Sequence, residues 1–184
     1  MYRSFITGIA AVAMAAAVTV GAQEKTVMVG GAAMYPSKDI VDNAVNSKDH
    51  TTLVAAVKAA GLVETLKSAG PFTVFAPTNA AFNKLPKGTV ETLLKPENND
   101  KLKSILTYHV VAGRMDSATL MEKAKANGGK LELSTVNGGK LWAALKDGKL
   151  WLRDAKGNTA AITIADVYQS NGVIHVINTV VMPE

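Results

Sequence analysis

The stretch Phe72-Thr73-Val74-Phe75-Ala76-Pro77-Thr78-Asn79-Ala80-Ala81-Phe82 decides how this chain folds. Phe72 to Phe75 are aromatic or β-branched throughout, the composition of a strand. Pro77 lacks the N–H that a ladder needs, so the strand stops there. Thr78 and Asn79 carry side-chain oxygens able to accept from the free N–H groups of a following helical turn, and that turn carries Phe82 into a core.

Upstream, the pattern is helical. Ser37 can cap a helix containing Ile40, Val41, Ala44 and Val45, and a second helix starts near Asp49 to Thr51 with Leu53, Val57 and Ala60 on one face. Gly61 bends or ends it, and Leu62, Val63 and Leu66 make a further turn before Gly70-Pro71. Residues 23–36 hold Gly30-Gly31, Pro36 and little periodicity, so they are expected to be a linker, with the domain running from 37 to 184.

Downstream, Thr89 can cap a helix with Val90, Leu93 and Leu94, and Leu102, Ile105 and Leu106 mark another. Tyr108 to Ala112 is expected to be extended, and Asp116 or Ser117 can start a helix that ends at Asn127-Gly128-Gly129. The chain then changes character. Short apolar or alternating runs at 131–133, 141–145, 150–153, 161–165 and 173–177 are separated by Asn137-Gly138-Gly139, Asp147-Gly148, Lys156-Gly157-Asn158 and Asn171-Gly172, all turn formers. Helices first and strands later predict an α+β fold, a bent or split antiparallel sheet carrying a helical layer.

Three stretches, in this order, resemble one family. Thr73 to Phe82 is similar to the first box of fasciclin (FAS1) domains, Tyr108-His109 to their central Tyr-His pair, and Asn171-Gly172-Val173-Ile174-His175-Val176-Ile177-Asn178 to their second box. The resemblance implies a single domain built as a wedge-shaped pair of β-sheets, a β-sandwich, with a layer of α-helices. It also implies adhesion: cell to cell, cell to matrix or cell to host. In animal members the Tyr-His neighbourhood and an Asp-Ile pair before the second box are associated with integrin recognition, and Asp166-Val167 occupies the matching place here. Candidate adhesion contacts are therefore Asp166, Val167, Tyr108 and His109. Each has a structural reading beside the functional one. Asp166 suits a helix or turn cap, and Tyr108-His109 suits a hydrogen-bonded pair that locks a helix end against the sheet. His175, opposite in alternation to Ile174 and Val176, either meets polar neighbours or is tucked inside with its nitrogens satisfied.

Residues 1–22 read as an export signal: Arg3, an apolar stretch from Phe5 to Val20, then Val20-Gly21-Ala22 ahead of polar Gln23-Glu24-Lys25. An uncleaved anchor is the alternative. Once the segment is removed no stable membrane insertion is expected, and the protein is expected to be exported, periplasmic or extracellular. Cysteine is absent from the 184 residues, which excludes thiol chemistry. Twenty Lys and Arg against 15 Asp and Glu is a mild excess. With no window that both concentrates basic residues and interleaves aromatics, nucleic-acid binding is not expected.

The search for chemistry returns little. No G-x-S-x-G turn is present, and His50, His109 and His175 stand apart without metal-ligand spacing. Gly30-Gly31 and Gly128-Gly129 lack the residues of a phosphate loop. Glu91, Glu97, Asp100 and Glu122 fall in helical polar stretches. An enzyme and a cofactor are therefore not expected. Trp142 and Trp151 flank the Asp147-Gly148 turn and form either a carbohydrate-stacking platform or a pair packed across the ladder. The expected function is adhesion through weak contact with a cell-surface or matrix protein or polysaccharide. The alternatives are a soluble ligand- or carbohydrate-binding protein and, behind it, a secreted hydrolase. The sequence leaves the oligomeric state open.

Overall fold

The computed structural model describes residues 25–184, so the expected export segment lies outside the described residues. It opens with β1 (Val27–Val29) and β2 (Ala32–Met34), paired antiparallel. Gly30 and Gly31 both have positive φ, the backbone a two-residue hairpin turn requires. The segment expected to be a linker is therefore part of the fold, because Val29 and Met34 are buried in the main core. The glycine pair read as part of a linker is the turn that lets them get there.

Six helices follow the hairpin or interrupt the strands: α1 (Ile40–Ala44), α2 (Thr51–Ala59), α3 (Val63–Lys67), α4 (Asn79–Asn83), α5 (Thr89–Leu93) and α6 (Asn99–Tyr108). Most are short, and their ends are held by side chains. Asp39, not Ser37, caps α1 by accepting from the Asp42 N–H at 2.8 Å. Thr78 caps α4 as the sequence implies, accepting from the Ala81 N–H at 3.2 Å. A seventh helix, α7 (Ser117–Ala126), is capped by Asp116.

The remaining strands are β3 (Phe72–Pro77), β4 (Val110–Ala112), β5 (Lys130–Ser134), β6 (Lys140–Lys146), β7 (Lys149–Arg153), β8 (Thr159–Gln169) and β9 (Gly172–Ile177). They form one seven-stranded sheet in the order β4-β3-β9-β8-β7-β6-β5. All neighbours are antiparallel except β3 and β9, which run parallel with Phe72 opposite Gly172 and Pro77 opposite Ile177. That pair departs from the antiparallel expectation. Parallel neighbours need a long crossover, and here residues 78–171 separate them. The close register also explains Gly172, because a Cβ there would lie 2.3 Å from the Phe72 carbonyl oxygen.

Strand β8 bends. Its register with β9 shifts between Ile162 and Ile164 and again between Ile164 and Val167, and such bulges turn a strand. The bend divides the sheet into a central limb, β4-β3-β9-β8, and an arm, β8-β7-β6-β5. A bridge between Val111 and Thr135 brings the two ends of the order together, giving the wedge with its helical layer. Two cores result. Val74, Ala76, Ile174 and Val176 face the helical layer with Leu53, Val57, Leu102 and Ile105. Phe75 and Ile177 face a second core with Tyr108, Leu120, Leu133, Leu141 and Leu152. Buried Asn171 ties the layers together. Its Oδ1 accepts from Ile40 N–H at 3.1 Å, and its Nδ2 donates to the Leu66 and Ser68 carbonyls at 2.7 and 2.9 Å.

Candidate contact site

At the second bulge of β8, Ala165 and Asp166 together oppose His175, and Asp166 takes a left-handed backbone with φ 59°. Aspartate tolerates that conformation better than most residues. The bulge frees the Asp166 N–H from the ladder, and His175 Nδ1 accepts it at 3.3 Å. His175 Nε2–H then donates to the Met115 carbonyl at 2.9 Å, and its ring stacks on Phe75 with centroids 5.7 Å apart. The buried imidazole thus supplies the partner that the bulge removes. Burial pushes its pKa below the ordinary histidine value, partly opposed by the Met115 carbonyl and the Asp166 and Asp116 charges.

The Asp166 carboxylate accepts from the Ser117 N–H at 2.6 Å and from the Ser117 hydroxyl. It is a second cap on α7, delivered from β8, and its charge sits where the helix dipole favours an anion. Asp116 holds the next turn through the Thr119 N–H at 2.8 Å, and the bonds from Thr119 keep its carboxyl below the usual range. Tyr168, 39% exposed, reaches the other Asp116 oxygen at 3.4 Å. Arg114 fastens the approach to α7 by donating to the Gln169 and Ser170 carbonyls at 2.9 and 3.1 Å. Asp116, Asp166 and Tyr168 therefore line one rim at the bend.

The other three candidate contacts are inside. Val167 is fully buried in the helical-layer core. Tyr108 ends α6 with its ring in the second core; its hydroxyl donates to the Lys140 carbonyl at 2.5 Å and accepts from the Ala155 N–H at 3.1 Å. His109 Nδ1–H donates to the Ile105 carbonyl at 2.8 Å, and Nε2 accepts from the Val181 N–H at 3.2 Å. Burial depresses its pKa to about 4. Val167, Tyr108 and His109 are thus buried, and of the four candidates only Asp166 has a partly exposed side chain. Phe75 is the physical link between the two halves of the candidate set: its N–H donates to the His109 carbonyl at 2.9 Å and its ring covers His175.

Among the described residues no group of His, Cys, Asp or Glu is arranged to hold a metal, and no helix is long and apolar enough to cross a membrane. An apolar cavity of about 70 Å³ lies between the helical layer and the sheet, lined by Ile40, Leu53, Val57, Leu66, Val74 and Ile174 among others. It is small beside the roughly 300–1,000 Å³ of ordinary ligand pockets. A shallow cleft of about 340 Å³, with Asn137, Lys140, Trp142 and Ala155 on its walls, opens beside the Tyr108 hydroxyl.

In the sequence the Trp142 and Trp151 pair stands out, but not the basic residues that surround it. The ladder registers place Lys130, Glu132, Lys140, Trp142, Lys146, Lys149, Trp151 and Arg153 on the outer face of the arm. Basic and aromatic residues therefore do interleave, contrary to the expectation from sequence windows. Taking every second residue across the Asp147-Gly148 turn would have found them.

The Fasciclin domain model matches residues 48–183. The chain is 48% identical over 179 residues to Protein sll1483 of Synechocystis sp., covering 97% of this chain and 91% of that protein. It is 36% identical over 148 residues to the Transforming growth factor-beta-induced protein ig-h3 of Sus scrofa, covering 80% of this chain and 20% of that longer protein. Among solved structures, a FAS1 domain pair from the insect cell adhesion molecule fasciclin I superposes with a TM-score of 0.70 at 18% identity, covering 79% of this chain and 51% of the pair. The wedge with its helical layer is thus the FAS1 fold, and this chain belongs to the fasciclin family. In fold it corresponds to one FAS1 unit of that pair.

Proposed function

We propose that this protein is an adhesion module at or outside the cell surface that makes weak contact with a cell-surface or matrix protein or polysaccharide. The observation that carries the reading is the rim at the β8 bend, where Asp116, Asp166 and Tyr168 are held by α7 caps and a buried histidine. Groups fixed in this way lose little further freedom on binding. Family membership supports the class of function, and the three histidines support no catalytic role, since each is buried and hydrogen-bonded to neighbours. Weak contact at one such rim gains strength when many copies are displayed together.

The test is saturable adhesion of cells to surfaces coated with the protein, comparing wild type with Tyr168→Ala. Tyr168 is exposed and caps nothing, so the variant is expected to keep its urea midpoint and lose adhesion severalfold. A folded wild type that supports no adhesion overturns the function; adhesion unchanged in Tyr168→Ala overturns the rim.

A further inference from the structure

The outer face of the arm is a second surface with its own chemistry. Strands β5, β6 and β7 alternate strictly: Leu133, Leu141, Ala143, Leu150 and Leu152 point into the second core, and their neighbours point out. The helix that packs on β5 and β6 is α7, and its Leu120 lies in the second core with Leu133 and Leu141, on the inner face of the arm. At the centre of the outer face stand Trp142 and Trp151. The register puts Trp142 opposite Arg153 and Trp151 opposite Ala144, so the indoles are diagonal neighbours on adjacent strands, close enough to form one aromatic surface. Both are half-buried.

Around them lie Lys130, Lys140, Lys146, Lys149 and Arg153, all exposed. Lys130 Nζ sits over the Trp142 ring, 5.1 Å from its centroid. Among the described strand residues of this face the one acid is Glu132, paired with Lys140 at 2.9 Å. The face is therefore an apolar centre with a cationic border, and packing of the monomer alone does not call for two tryptophans on the wet side of a sheet.

The geometry points to a binding surface for an acidic polysaccharide, a chain of uronic-acid type, laid across β6 and β7. The C–H faces of pyranose rings are apolar and lie on indoles, and the carboxylates between them meet the bordering ammonium groups. A single-stranded nucleic acid offers the same two chemistries, yet it relies on aromatic rings that stack successive bases. Here the indoles are half-buried and one carries a lysine over its ring, a low apolar floor and not a row of free-standing plates. Trp142 also borders the shallow cleft lined by Asn137, Lys140 and the acidic Glu184, so an acidic chain is expected to run along β6 and β7 and not into that cleft. This surface is separate from the rim at the β8 bend, and the two stand or fall independently.

The experiment titrates the purified protein with polygalacturonate, with neutral dextran and with a thymidine oligonucleotide, reading tryptophan fluorescence and affinity-gel retardation at low and high salt. Polygalacturonate is expected to bind and to shift the fluorescence, dextran to bind far more weakly, and affinity to fall with salt. Trp151→Ala is expected to weaken binding about tenfold, the loss of one stacked ring. The double variant Lys146→Glu, Lys149→Glu alters only exposed residues next to the turn and is expected to abolish retardation while keeping the urea midpoint, so the proposal stays testable if Trp151→Ala is unstable. Tyr168→Ala is expected to bind polygalacturonate like wild type. No binding at low salt overturns the proposal. So does equal binding by both arm variants, or oligonucleotide binding as tight as polygalacturonate.

Discussion

Strand β9 and the β6–β7 hairpin belong to one sheet and obey opposite rules. Every residue of β9 is buried, because the helical layer covers one face and the second core covers the other. Strands β6 and β7 bury mainly alternate residues. Cover on both faces produces a near-continuous apolar run, and cover on one produces alternation. The motifs that resemble the family lie almost wholly in the first kind of region. They describe how the wedge is packed, and the side chains able to meet a partner stand elsewhere, at the bend of β8 and on the outer face of the arm.

The contrast is broken most directly by truncation. Phe75→Ala removes a fully buried ring that packs the second core and covers His175, and is expected to cost about 3–5 kcal/mol. Lys149→Ala on the arm is expected to change stability by less than about 0.5 kcal/mol. Urea denaturation of the two variants checks this, and similar losses would mean that the arm is not a free surface.

Acid sharpens the contrast next. His109 has a native pKa of about 4 against an ordinary 6.5, so the native state holds it neutral while the unfolded chain protonates it. Between those values the unfolded state binds more protons, and stability rises with pH. The contribution is complete above about pH 6.5 and is lost as pH falls toward 4, on the order of 3 kcal/mol in all. His50 and His175, also depressed by burial, act in the same direction. Urea midpoints measured from pH 7 to pH 4.5 should fall steadily; a flat profile would mean that the histidines are not held neutral inside.

A smaller loss belongs to the bend. Asp166→Ala removes a cap from α7 and places alanine at φ 59°. It is expected to cost about 1–3 kcal/mol, one part for the cap and one for the left-handed backbone. Asp166→Asn keeps a residue that tolerates this backbone and should lose about 1 kcal/mol or less. Equal losses in urea would show that the backbone conformation contributes nothing.

Much of the wedge was legible because its signals are local. Thr78 capping α4, Asp116 starting α7 and the five strand runs after residue 130 each follow from neighbours in sequence. The parallel β3–β9 pair was not legible, since residues about a hundred positions apart carry no mark of which way they align. Nor was the hairpin of β1 and β2, whose glycines read equally as linker or turn until Val29 and Met34 found a core. For the site, Asp166 as a cap was visible as a type of residue, yet Ser117 as its partner was not. Exposure decided the rest: alternation could tell that Val167 and Tyr168 face opposite ways, and only the bulge at Asp166 settles which of them is outside.

The bridge between Val111 and Thr135 bears on how copies of this protein behave when crowded. An open sheet edge invites a strand from another molecule and leads toward aggregation. Here the two outermost strands, β4 of three residues and β5 of five, are drawn together at that bridge, with the Val136 N–H also donating to the Val110 carbonyl at 2.8 Å. Lys130 stands at the start of β5 as a further deterrent to strand addition. A neighbour arriving edge-on therefore finds a short, pinned and charged border, and dense display of the molecule need not lead to the runaway pairing that makes β-rich chains precipitate.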